Sequence, residues 1–220
     1  VSAPPTIIGE LASHELAGAF ADVVRRVHHR YATEVVGQFH LCPFMKDPET
    51  AFGQFVVVLS NELDVELAAS RVLEAEVQVV HLVYPLTDAD AATFERFGNA
   101  VHHTVASRSR GGPVHASFHP DMVGDTTSES KLVGFLRRAP DPFVQFIPEG
   151  LHQGGSTYID LEKVDLTSLM AAGSAKADNA KSNFERLQSD DLDRIETTIH
   201  DIQRDRDESY APYLDELRRA

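Results

Sequence analysis

Cysteine, tryptophan and methionine are nearly missing from this chain: one, none and three in 220 residues. A single cysteine excludes an intramolecular disulfide and any zinc site built from several thiolates. Long apolar runs are missing too, and none approaches the roughly 18 residues that a membrane span requires. The stretch VSAPPTIIGELASHE lacks the basic patch and apolar centre of a secretory signal, so a cytoplasmic protein is the expectation. Basic residues are in deficit: 20 Lys and Arg against 34 Asp and Glu give a net charge of −14. Such a field repels phosphate backbones, which argues against nucleic acid as a partner, and it suits a cationic or amine-bearing small molecule. Arg25-Arg26 and Arg137-Arg138 are short clusters that read as solvated helix faces. The loop HQGGS has neither the lysine of a phosphate loop nor the spacing of a dinucleotide fingerprint.

What is present is an ordinary globular composition, 42% hydrophobic and 25% charged, in a chain long enough for one sizeable core. Residues 1–12 read as an N-terminal arm. From about Ser13, Leu16, Phe20, Val24, Val27, Tyr31 and Val35 recur at spacings of three and four, the period of one helix face, and Gly37 is expected to end that helix. His28 falls at the edge of the apolar stripe. QFVVVLS reads as a buried strand, followed by a helix capped by Asn61 and running to about Glu74. VQVVHLVYP is a second strand. A helix with Phe94, Phe97, Val101 and Val105 inward follows, then the strand PVHASFHP, the short helix KLVGFLRRA and the strand PFVQFIPEG. STYIDL is one more candidate strand. This alternation implies an α/β or α+β fold: a single sheet of about four to five strands with helices packed on it. The core domain spans 13–161. Residues 162–220 form a helical C-terminal extension, in which Leu192, Ile195, Ile199 and Ile202 make one apolar edge for the core or for a second copy of the chain.

Eleven histidines carry most of the chemistry on offer. If PVHASFHPD is a strand, its side chains alternate, and His115, Ser117 and His119 share one face while Val114, Ala116 and Phe118 share the other. A polar face of that kind is expected to border a cavity. His115 and His119 would lie roughly 13 Å apart along the strand, too far to ligate one small ion together. Pro120-Asp121 breaks the strand and leaves His119 at its end, where sites in sheet proteins tend to lie. His81, mid-strand among apolar neighbours, reads as a satisfied core histidine. In FHLCPF, Pro43 disfavours a helical Cys42, so His40, Leu41 and Cys42 are expected to run extended, with His40 and Cys42 pointing the same way. A lone thiol is commonly a small buried hydrophobe. Beside an imidazole it becomes a nucleophile with its base, or half of a soft metal site.

HLCPF at 40–44 and ASFHPD at 116–121, in that order and spacing, resemble an uncharacterised bacterial family catalogued as domain of unknown function 1415. The similarity runs from roughly Ala17 to Ile147. It implies that Cys42, Pro43, Phe44, His119, Pro120 and Asp121 belong to a shared framework or site, and it brings no established activity with it. This chain departs from the family where His40 replaces an asparagine, where Thr127 to Lys131 replace an Arg-Ser-Pro-Tyr-Pro run, and where Gly134 replaces a histidine. It reads as a divergent, specialised member.

Three functions are then open. The first is a haem- or iron-dependent oxidoreductase of oxygenase type, acting on an amine or amino acid. It would use His40 or His119 as iron ligand, with His28, His115, Phe44 and Phe118 against the cofactor and further phenylalanines (Phe39, Phe52, Phe146) filling the pocket. The second is cofactor-free chemistry with Cys42 as nucleophile, His40 or His119 as base and Asp121 as orienting group. The third is a non-catalytic binding or scaffold protein whose helical extension is the partner surface.

Overall fold

The computed structural model describes residues 4–41, 53–75, 79–109, 113–148 and 183–219. Five strands form one mixed sheet: β1 (Thr6–Ile8), β2 (Gln54–Val58), β3 (Val80–Val83), β4 (Val114–Phe118) and β5 (Phe143–Ile147). Their order is β1-β2-β3-β5-β4. The first three run parallel, and β5 lies antiparallel between β3 and β4. The carboxyl ends of β1, β2, β3 and β4 therefore share one edge of the sheet with the start of β5. The expected arm contributes strand β1. A three-residue strand, Thr-Ile-Ile, is too short to show a period in sequence, and only its pairing with β2 defines it.

Helices cover both faces. On one lie α1 (Ala17–Arg30), a π-helical continuation (Tyr31–Gly37) and the long α5 (Ser189–Leu217). Phe20, Val24, Val27, Tyr31 and Val35 pack there with Phe55, Val57, Val83, Phe143, Ile195, Ile199 and Ile202. The apolar edge read in the extension thus docks on the core of its own chain. On the other face lie α2 (Val65–Glu74) and α3 (Ala91–Arg108), with Val56, Val58, Leu82, Tyr84, Phe94, Phe97, Val101 and Phe146 between them and the sheet. The short α4 (Glu129–Leu136) follows β4. Sheet strands buried on both faces explain why QFVVV and VHLV are near-continuous apolar runs.

One local reading changes. The cap of α2 is Asp64, whose side chain accepts from the amides of Glu66 and Leu67; Asn61 precedes the helix. Gly37 ends the helical run as expected, its last turns being π-helical, and the chain then turns over Gln38 to His40. Among the described residues no helix is long and apolar enough to cross a membrane. Phe52, His152 and STYIDL lie outside the described residues.

Candidate functional site

The alternation of β4 places His115, Ser117 and His119 on one face, but that face meets a helix where a cavity was expected. Gly98 of α3 sits over Ser117: a Cβ there would come 2.3 Å from the serine oxygen, so glycine is what lets helix and strand approach. His115 Nε2 donates to Asn99 Oδ1 at 3.1 Å, and its ring stacks on His102 with ring centroids 4.3 Å apart. His119 is buried beside Phe94. Its Nδ1 accepts the Asp121 amide at 3.0 Å, and its Nε2 donates to the Ala89 carbonyl at 2.9 Å. These partners fix a neutral ring with the proton on Nε2. In this arrangement neither nitrogen is open to a ligand, and His119 clasps the end of β4 to the loop that leads into α3.

The Pro120-Asp121 turn that follows borders a cleft of about 490 Å³ against α4 and α5. Its polar lining includes Asp121, Arg138, Glu196, His200 and Gln203. Arg138 is spent on structure, donating to the carbonyls of Met122 at 3.2 Å and Gly124 at 2.8 Å. Glu196 lies 3.9 Å from it. The Asp121 carboxylate is 89% exposed and 4.0 Å from His119 Nδ1. That approach is not an ion pair, because Nδ1 is already accepting a backbone N–H. Behind the cleft, Gly134 touches the same loop; a Cβ there would come 2.0 Å from the Val123 carbonyl oxygen. A side chain at this position, where the resembling family has histidine, does not fit the present packing.

His28 is the largest revision. Set by periodicity at the edge of the stripe, it is buried, with its ring edge-on to Phe55 and Phe143. Its Nε2 donates to Asp141 at 3.0 Å. Asp141, fully buried, also accepts from the Tyr210 hydroxyl at 2.6 Å and from Arg206 Nε at 2.9 Å. Burial alone would raise the Asp141 pKa; the bond from His28 and the charge of Arg206 outweigh it and hold the carboxyl below its ordinary value. The same burial, reinforced by Asp141, pushes the Tyr210 phenol well up. This network ties α1 and α5 to the loop before β5. Its members Asp141, Arg206 and Tyr210 carry no local motif in sequence, since they meet across 65 to 113 residues of chain.

His40 is of a different kind. It is exposed and has a φ of 50°, the one positive value at a non-glycine position among the described residues. The cause is a left-handed helix cap. The His40 amide donates to Gly37 O at 3.1 Å and the Leu41 amide to Val36 O at 2.9 Å, the bond pair that normally places glycine at the left-handed position. The extended path expected for His40 is therefore wrong: the restriction imposed by Pro43 acts on its immediate neighbour, not two residues further back. The cap is held from outside as well. Arg186 donates to Phe39 O at 2.8 Å, the buried Asn183 donates to Leu41 O at 3.1 Å, and Arg194 lies over the Phe39 ring. No hydrogen bond or ion pair joins the His40 ring to any described residue. Cys42, Pro43 and Phe44 follow directly and lie outside the described residues.

Phe118 stacks flat on Phe143 at 4.2 Å, with Arg137 above its ring. His81 accepts from the Gln145 amide at 2.9 Å in the core.

No family model, no curated protein and no solved structure matches this chain. Its functional reading rests on its own residues.

Proposed function

We propose that the chain is a haem- or iron-dependent oxidoreductase acting on an amine or amino acid, with His40 as iron ligand. The observation that carries this reading is the presentation of His40. A left-handed conformation costs a β-carbon-bearing residue about 1 kcal/mol or more relative to glycine. Here the strained residue follows a π-helical segment, a feature frequent at functional sites. Its backbone is pinned on both sides by Arg186 and Asn183, while its imidazole is exposed. A side chain retained at conformational cost, with a fixed backbone and an open ring, suits ligation. Iron or haem would supply the electron-transfer and oxygen chemistry that side chains lack. The amine half of the reading is supported by the cleft, whose lining includes the carboxylates of Asp121 and Glu196 while its arginine, Arg138, is tied to backbone carbonyls.

The test is a haem titration of the purified chain, followed by its visible spectrum and by elemental analysis for iron. A saturable Soret band at one haem per chain, or one iron per chain, is expected. Absence of both the band and the iron overturns the proposal. A second reading, a non-catalytic binding protein, is favoured by the structural partners of His28, His115 and His119. It expects no band and no metal.

A further inference from the structure

Two adjacent arginines end α4, and their surroundings differ. Arg138 is bonded to two backbone carbonyls. Arg137 is half-buried, and its guanidinium makes no hydrogen bond and no ion pair with any described residue. Its contacts are the Phe118 ring, 5.9 Å from centroid to guanidinium carbon, and the longer-range fields of Glu95 and the Tyr31 phenol. Tyr31 offers it no acceptor charge: burial pushes that phenol up, and its hydroxyl donates to the Leu136 carbonyl at 2.8 Å. Burial accordingly lowers the Arg137 pKa. Five N–H donors that meet no protein acceptor among the described residues and sit beside an apolar ring are matched best by an anion with two oxygens in one plane. The ring beside the charge is held in place by Phe143, which stacks parallel to it with an interplanar angle of 6°.

We propose that Arg137 anchors the carboxylate of a small planar ligand that packs beside Phe118. The chemistry is a bidentate guanidinium–carboxylate pair beside an aromatic surface. Its source is either a haem propionate or the carboxyl group of a substrate. The proposal does not depend on His40.

The test uses the full chain as wild type, Arg137→Gln and Arg137→Lys, each checked for an unchanged melting curve. Four probes are titrated: benzoate, its neutral isostere benzamide, haem, and haem dimethyl ester, whose propionates are blocked. A substrate carboxylate predicts saturable benzoate binding that Arg137→Gln weakens about tenfold or more, equivalent to about 1.4 kcal/mol, that Arg137→Lys partly restores, and that benzamide does not share. A propionate predicts the same loss for haem and none for the dimethyl ester. If Arg137→Gln changes the affinity for neither benzoate nor haem, or if neither binds, the proposal is overturned. Absence of haem binding alone overturns the iron reading and leaves the benzoate titration to decide Arg137.

Discussion

His40 opens one of the chain's two motifs and His119 stands inside the other, and they are opposites. His119 is buried with both nitrogens bonded to backbone groups, so its ring is a structural joint. His40 is exposed, sits where glycine is the ordinary residue, and its ring makes no hydrogen bond or ion pair with any described residue. Counting imidazoles in a motif does not distinguish these cases. The bonds of each nitrogen and the backbone conformation that carries it do.

If the buried joints are structural, removing them lowers stability without abolishing ligand binding. The largest effect belongs to Asp141, where the His28 joint also ends. Asp141→Ala strips the buried acceptor from His28, Tyr210 and Arg206, leaving Arg206 only the exposed Asp207 and the Pro85 carbonyl, a loss of about 3–5 kcal/mol measurable by urea unfolding. The acid side follows the same group. Its folded-state pKa lies below the ordinary carboxylate value, as does that of Asp205, which Arg26 holds down. Their stabilisation is therefore complete above about pH 4, the unfolded carboxylate range, and is lost as pH falls through the lower folded values. Unfolding midpoints measured down the acid range should decline below about pH 4, and less steeply in Asp141→Asn.

His119→Ala removes two buried hydrogen bonds and a ring packed on Phe94, and should cost about 2–4 kcal/mol. The folded variant should bind haem or iron as the wild type does; loss of binding at unchanged stability would collapse the distinction between the two histidines. Arg186→Ala frees the Phe39 carbonyl and should cost about 1 kcal/mol, with faster amide exchange at Leu41 as the local readout. The smallest effect has the opposite sign. His40→Gly relieves the left-handed strain and should stabilise the fold by about 0.5–1 kcal/mol. A destabilised His40→Gly would show that the ring contributes to folding.

The fold class was legible because its signals are local. Period-three-and-four stripes marked α1, α3 and α5, and short apolar runs marked β2, β3 and β5. The two-residue alternation of VHASFH correctly grouped His115, Ser117 and His119. It could not say that α3 covers that face, since the contact depends on Gly98 meeting Ser117 across the sheet. His28 was misplaced for a related reason: its position on the stripe is local, but its partner Asp141 is 113 residues away. The left-handed cap at His40 had no local sign: Gly37, the residue expected to close the helix, ends the π-helical segment three residues earlier.

The most direct test is a haem titration of His40→Gly, with and without added imidazole, beside the wild type. The account predicts a Soret band that is lost or shifted in the variant while its fold is retained, and that imidazole restores. An unchanged band in His40→Gly, at the same haem stoichiometry, would contradict it.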